Sequence, residues 1–379
     1  MLQLPPLSLY VHIPWCVRKC PYCDFNSHEA SGVIPEQAYI QALIADLTTD
    51  LSWVQGRKLH SIFFGGGTPS LFSGKGIGEI LRVAEELIGF EGDIEITLEA
   101  NPGTVEQQRF ADFREAGVNR LSIGVQSFNQ EHLRKLGRIH SGEQALQAIA
   151  TTKSVGFDNF NIDLMHGLPG QTIAEASRDL HLALDNGAQH ISWYQLTIEP
   201  NTAFYSRPPT LPNDDCLADI QQAGMAILQE YGFAQYEVSA FAIAGNVSQH
   251  NINYWQFGDY LGIGAGAHGK ITVPADKTVI RTTKTRLPAH YLARDGSAPA
   301  RKKAIASAEI VLEFMMNGLR LKRGVPTVYL AERTGLATSV IEAQIRSLQS
   351  KGLMESNNEK YQTTALGYQF LNTVLQSFD

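Results

Sequence analysis

His12-Ile13-Pro14-Trp15-Cys16-Val17-Arg18-Lys19-Cys20-Pro21-Tyr22-Cys23-Asp24-Phe25 carries three of the four cysteines in a chain of 379 residues. The stretch grows out of a β-rich run at residues 8–13, so the thiols lie in the loop at the C-terminal end of a strand. Three thiolates on one loop can hold three corners of a metal centre and leave a fourth for a ligand that comes and goes. Zinc in a Cys3His site recruiting His12 or His28 is the first rival. Structural zinc sites usually draw their ligands as two separated pairs, however, and here all three thiols share one loop. An iron–sulfur cluster with one non-cysteine corner fits better. Cys216 stands apart, and clustered thiols of this kind indicate metal or redox chemistry in a reducing compartment rather than a disulfide framework.

Outward from that loop, β-rich runs at 8–13, 61–64, 93–98, 120–125, 160–165 and 191–196 alternate with segments whose apolar residues recur at helical spacing. These helical stripes run through Ile40 to Val54 and then near 76–88, 105–116, 143–155 and 172–186. Six βα units follow, which predicts an α/β fold: a partial (β/α)6 parallel barrel. The unusual residues all fall just after strands. The cysteines follow the first, Gly65-Gly66-Gly67-Thr68-Pro69 the second, and Glu99-Ala100-Asn101-Pro102 the third. Gln126 follows the fourth, Asp163 and His166 the fifth, and 197–200 the sixth. In such a fold these ends converge on one face, where the chemistry is built.

Past residue 200 the order loosens. A helix near 214–231 leads to a strand at 235–241, then to His250-Asn251-Ile252-Asn253-Tyr254-Trp255 and the glycine-rich Gly262-Ile263-Gly264-Ala265-Gly266-Ala267-His268-Gly269. Asp295-Gly296-Ser297-Ala298-Pro299 suggests a boundary, giving domains 1–295, with an extension over about 200–295, and 296–379. The second reads as helix 328–334, helix 338–350 and a hairpin, 353–355 with 361–363, around Asn357-Asn358. That is a small helical, winged-helix-like domain. Residues 300–379 hold ten Lys or Arg against seven Asp or Glu, and the second helix holds one cation, Arg346. A DNA-reading helix needs several phosphate and base contacts, so packing or a lid role is the better reading.

The chain is 44% hydrophobic and 18% charged, with no apolar run near the roughly 20 residues of a membrane span. A net charge of -7 argues against broad nucleic-acid affinity. Residues 1–7 lack a basic n-region ahead of an apolar core, so no secretory signal is expected and the expected location is cytoplasmic.

Cys-x3-Cys-x2-Cys after a first strand, with Gly65-Gly66-Gly67-Thr68-Pro69 after the second, resembles the radical S-adenosylmethionine (SAM) superfamily. The resemblance implies a [4Fe–4S] cluster on Cys16, Cys20 and Cys23 whose fourth iron is chelated by SAM. In that superfamily an electron from the cluster cleaves the sulfonium and yields a 5′-deoxyadenosyl radical. It also implies jobs for the strand ends: Gly66, Gly67 and Thr68 at the methionine end of SAM, and Glu99 and Asp163 as acceptors for hydroxyl or ammonium groups. Gln126 and Arg138 would bond ribose or carboxylate oxygens, and Tyr10 and Tyr22 would flank the loop.

Tyr10-Val11-His12-Ile13-Pro14, Gly124-Val125-Gln126-Ser127-Phe128, 161–169 and the C-terminal domain together resemble the oxygen-independent coproporphyrinogen III oxidase family. In the oxidase pattern a fourth cysteine lies two residues after the third, where this chain has Phe25; the oxidase also has a long N-terminal extension, where only nine residues here precede Tyr10. Both differences resemble the heme-chaperone branch, as does His250-Asn251-Ile252-Asn253-Tyr254-Trp255, similar to that branch's HNxxYW motif. The resemblance therefore implies heme association through His250, Asn251, Tyr254 and Trp255. His268 is an alternative ligand, and Arg281, Lys284 and Arg286 are partners for heme propionates. The implied activity is heme binding and transfer to an acceptor hemoprotein, a respiratory one being a candidate, with peripheral membrane contact, no membrane span and no nucleic acid. The competing activity is oxidative decarboxylation of coproporphyrinogen propionates.

Overall fold

The computed structural model describes residues 1–294 and 300–379. All six expected strands are present: β1 (Leu7–Ile13), β2 (Leu59–Gly66), β3 (Phe90–Ala100), β4 (Arg120–Gln126), β5 (Phe160–His166) and β6 (His190–Gln195) lie side by side and parallel. The crossovers are α1 (Glu36–Thr49), α2 (Gly74–Leu87), α3 (Phe110–Glu115), α4 (Gly142–Ser154) and α5 (Ile173–Asp185). Leu7, Leu9, Val11 and Ile13 alternate along β1 and are wholly buried in the main core. Ser8, Tyr10 and His12 take the opposite face, which lines the inside of the curved sheet. Ser73, Ser141 and Thr172 each accept from a free amide at the start of α2, α4 and α5, and the last two form reciprocal capping boxes with Gln144 and Glu175. Each such cap contributes about 1 kcal/mol.

The sheet goes further than the sequence reading. The run expected as one strand at 235–241 is a hairpin, β7 (Ala234–Glu237) and β8 (Ala240–Ala242), which follows α6 (Asp214–Glu230) and pairs antiparallel with β6. The glycine-rich region yields β9 (Asp259–Ile263), parallel to β1 on its free side, then antiparallel β10 (His268–Val273), β11 (Thr278–Thr283) and β12 (Arg301–Ala304). The strand order is β12-β11-β10-β9-β1-β2-β3-β4-β5-β6-β8-β7, so β12 and β7 are the two edges and the barrel stays open. Between β8 and β9, α7 (Gln249–Trp255) closes the end of the barrel at the strand N-termini.

The C-terminal part is helical: α8 (Ser307–Gly318), α9 (Val328–Thr334), a 3-10 turn over Thr338–Ile341 where helix was expected from 338, and α10 (Glu342–Ser350). Met354 bridges Thr363, and Val325–Pro326 pairs with Lys360–Tyr361 to form a small hairpin wing. Its core, around Phe314, Met315 and Leu330, also takes in Phe257 and Val279, so it packs directly on the β9–β11 extension. The boundary expected at 295/296 lies outside the described residues.

Candidate functional site

Pro14 turns the chain out of β1, and the cysteine loop returns alongside it through a short parallel pairing of Trp15–Cys16 with His28–Glu29. Several bonds fix its shape. His12 Nε2 lies 3.0 Å from Asn26 O, and Lys19 Nζ donates to Phe25 O and Ser27 O at 3.2 and 3.0 Å. Asn26 Nδ2 donates to Ala265 O and Arg286 O at 2.9 and 2.8 Å, which staples the loop to the β9–β10 connection and to the segment that follows β11. A Cβ on Gly266 would sit 2.2 Å from that Asn26 nitrogen, and one on Gly264 2.4 Å from His12 O; both glycines also have positive φ. The glycine-rich stretch is thus a close-approach surface for the cysteine loop.

Cys16, Cys20 and Cys23 all line one cavity of about 280 Å³ at the C-terminal mouth of the barrel. Cys16 is buried, and burial pushes its thiol up, with Thr68 and Ser27 pulling it back. Three thiols on one loop that face a shared cavity can each ligate a different iron of a cluster and leave one iron for another ligand, so the donor set fits that group.

The strand ends supply the remaining walls: Gly66, Gly67, Thr68, Glu99, Gln126, Arg138 and Asp163 line the same cavity, as does Tyr22. Glu99 accepts from Gly66 N at 3.1 Å. Burial, with Asp163 next to it, raises its pKa to about 8. Asp163 is raised too, chiefly by burial, although Asn161 and Ser122 donate to it at 2.7 and 3.2 Å. Two buried carboxylates that repel each other present acceptors without a cation between them, which fits a ligand rich in hydroxyl and ammonium donors. Arg138 Nη2 donates to Asn101 Oδ1 and Gly124 O, both at 2.6 Å, while Nη1 reaches Cys20 Sγ at 3.6 Å. It therefore ties the cysteine loop to β3 and β4. Gln126 has φ 70, a left-handed conformation that costs a non-glycine residue free energy, and Tyr194 Oη donates to its Oε1 at 2.7 Å.

Two expectations change. Tyr10 is not among the residues lining the cavity but stands beside Glu99, which is: a Cβ on Gly65 would lie 3.1 Å from the Tyr10 ring and 3.2 Å from Glu99, and Tyr10 stacks on Phe63 with its hydroxyl 3.0 Å from His12 Nδ1. The glycines of the second loop answer first to the protein: a Cβ on Gly66 would lie 2.4 Å from the His12 ring, and one on Gly67 2.5 Å from Trp15 O. Asn101, Ser122 and Tyr194 also line the cavity and were not singled out as site residues. Period-two alternation along β4 and β6 carries the signal for Ser122 and Tyr194.

The expected heme residues are elsewhere. His250 is 1% exposed at the floor of the barrel. Its Nδ1 lies 2.9 Å from Ser61 Oγ, and its ring meets Phe63 and Tyr254 at 5.1 and 4.6 Å between centroids. Burial holds its pKa at about 3. Glu95 anchors this turn by accepting from Gln249 N and His250 N, both at 3.0 Å, and from Ser248 Oγ at 3.3 Å. Asn251, Tyr254 and Trp255 are half-buried around it, and Arg320 lies 4.3 Å over the Trp255 ring. The folded chain therefore closes His250 off from solvent, with its Nε2 left without a hydrogen-bond partner among the described residues. Lys284 is not a propionate partner: it is buried, ion-paired with Asp46 and with Asp50, the latter at 2.6 Å. Arg281 is bound to Tyr260 Oη at 2.7 Å and to Glu313 at 2.5 Å. Of the three cations Arg286 alone stays exposed.

Three thiols and a ring of strand-end polar residues around one mouth define a radical SAM protein. Comparison with known proteins agrees: the Radical SAM superfamily pattern matches residues 10–183, and the HemN C-terminal domain pattern matches 305–370. The chain is 49% identical over 378 residues to a heme chaperone HemW of Escherichia coli, covering all of this chain and 99% of the relative. It is 50% identical over 382 residues to the heme chaperone HemW of Haemophilus influenzae, with the same coverage. Its fold matches the solved structure of E. coli coproporphyrinogen III oxidase, a radical SAM enzyme, with a TM-score of 0.82 over 99% of this chain and 90% of the other, at 24% identity. The chain belongs to the radical SAM superfamily and, within it, to the family of proteins named heme chaperone HemW.

Proposed function

We propose that this chain binds heme and hands it to an acceptor protein, on a scaffold that carries a [4Fe–4S] cluster on Cys16, Cys20 and Cys23 and exchangeable SAM on the open iron. The observation that carries the reading is the full-length match, at 49% identity, to a relative named a heme chaperone. A cavity rim with Phe25 in place of a further thiol supports it. When bound, cluster and SAM supply one-electron reducing chemistry at a sulfonium. The chain's own residues hold and orient. Glu99 and Asp163 accept from SAM's donors, Arg138 fixes Cys20 against Asn101, and the Gly66–Gly67 turn brings backbone to the cavity wall. Gln126 and Thr68 complete that wall, and Tyr22 closes it on the side of Phe204, 6.4 Å away between ring centroids. The proposal places this work in the cytoplasm, with an acceptor that includes membrane-associated hemoproteins. Among the described residues no helix is long and apolar enough to cross a membrane. In domain terms, the part of the chain up to the boundary expected at 295/296 holds cluster and SAM, and the helical part from Ser307 onward buttresses the β9–β11 extension.

Coproporphyrinogen oxidation is the second reading, since the fold is shared with an oxidase. Anaerobic incubation of the reconstituted protein with SAM, a reductant and coproporphyrinogen separates the two. No decarboxylated product, together with stoichiometric hemin binding, is the expected result. Turnover to protoporphyrinogen without hemin binding would overturn the proposal.

A further inference from the structure

Beside the cavity mouth, the staple through Asn26 gathers a second group of side chains. Phe25 is 60% exposed while still lining the cavity rim. Next to it, His28 Nε2 lies 3.3 Å from Asn26 Oδ1, and Asn26 also holds the backbone of Arg286. His268, the first residue of β10, is exposed and makes no side-chain hydrogen bond among the described residues. Burial and the nearby Arg286 lower the pKa of both His28 and His268, with Lys19 also acting on His28 and Arg281 on His268. Resting on the heme-binding reading, we propose that the porphyrin lies on this ledge. Phe25 contacts one face of the macrocycle, His268 is the axial iron ligand, Arg286 pairs with a propionate, and His28 borders the ring.

The chemistry matches the ledge. A porphyrin needs a flat apolar contact, a basic nitrogen with a free lone pair and a cation for its carboxylates, and these are three different side-chain types. His250 Nε2 has no hydrogen-bond partner among the described residues, but while α7 is seated the ring is closed in between Ser61, Phe63 and Tyr254 and shut off from solvent. The ledge has a further consequence: Asn26 joins it to the cysteine loop, so heme and cluster share one structural support.

Hemin titrations on the anaerobically reconstituted full chain, followed by absorbance and electron paramagnetic resonance, test this. His268→Ala should lose the imidazole-ligated spectrum and weaken hemin binding at least about tenfold, with cluster iron content and SAM affinity unchanged. Arg286→Glu should weaken hemin severalfold but leave hemin dimethyl ester unaffected, because the ester has no carboxylate to pair. The ledge is overturned if His268→Ala keeps the wild-type spectrum and an affinity within twofold. It is equally overturned if His250→Ala, at wild-type cluster content, abolishes hemin binding. Wild-type protein that binds no hemin would instead sink the proposed function itself.

Discussion

Glu95 carries a testable share of the fold's stability. Its carboxylate, buried beneath the cavity, accepts from two backbone amides and one hydroxyl at the start of α7, all at 3.0–3.3 Å, and lies 3.9 Å from the buried Arg120 guanidinium. Glu95→Ala leaves the buried His250 amide and the half-buried Gln249 amide unpaired, at about 1–3 kcal/mol for the former and less for the latter, and strips a buried cation of a counter-charge, so the expected loss is about 3–5 kcal/mol. Glu95→Gln keeps an acceptor but not the charge and should lose about 1–3 kcal/mol. Against a total stability on the order of 5–15 kcal/mol, the alanine variant is a severe lesion. Urea unfolding followed by circular dichroism should show a midpoint lowered by at least about 1 M for Glu95→Ala. Amide exchange at Gln249 and His250 should rise about a hundredfold, because α7 loses its anchor first. A loss below about 1 kcal/mol with unchanged exchange at those amides would refute the view that Glu95 seats the motif helix.

The raised pKa of Glu99, about 8, sets a direction with pH. SAM's donors need the ionised form, so binding releases a proton; affinity by equilibrium dialysis should rise by up to about tenfold per pH unit below 8 and level off above it. Glu99→Gln should abolish that slope. In the ligand-free protein the same shift makes stability fall as pH rises from the ordinary 4.5 toward 8, since the unfolded chain ionises first. Asn26→Ala removes the two hydrogen bonds its Nδ2 donates, about 2 kcal/mol together, and its longer contact with His28, and should speed loss of cluster iron to a chelator by an order of magnitude. Gln126→Gly relieves about 1 kcal/mol of backbone strain and loses a bond of similar worth to Tyr194, so thermal stability should hold while SAM affinity drops about tenfold or more.

The barrel was legible because its strands are long, apolar and separated by amphipathic helices, and because its polar residues recur after each strand. Cys16, Cys20 and Cys23 announced themselves by spacing, and Glu99, Gln126, Arg138 and Asp163 do reach one cavity. What escaped depends on long-range contact. Lys284, in a basic stretch, reads as a propionate partner; its actual partners Asp46 and Asp50 come from the far end of α1, more than two hundred residues away. Strands β9 to β12 are short, two of them border glycine turns, and their pairing depends on the exposed side of β1, which no local pattern reports. For His250, helical spacing shows a turn but not which way it faces; Glu95 and Ser61, on two different strands, decide that it faces in. For Tyr10, alternation gives the inner face, where it packs beside Glu99, but not its depth along the barrel.

Heme transfer tests the central claim most directly. Reconstituted protein loaded with hemin is mixed anaerobically with an apo b-type hemoprotein, and the acceptor's holo spectrum is followed with and without SAM. The expected result is heme appearing in the acceptor faster than from free hemin, with no decarboxylation of coproporphyrinogen in a parallel assay. Heme that never leaves, or never binds, alongside turnover of coproporphyrinogen, would contradict it.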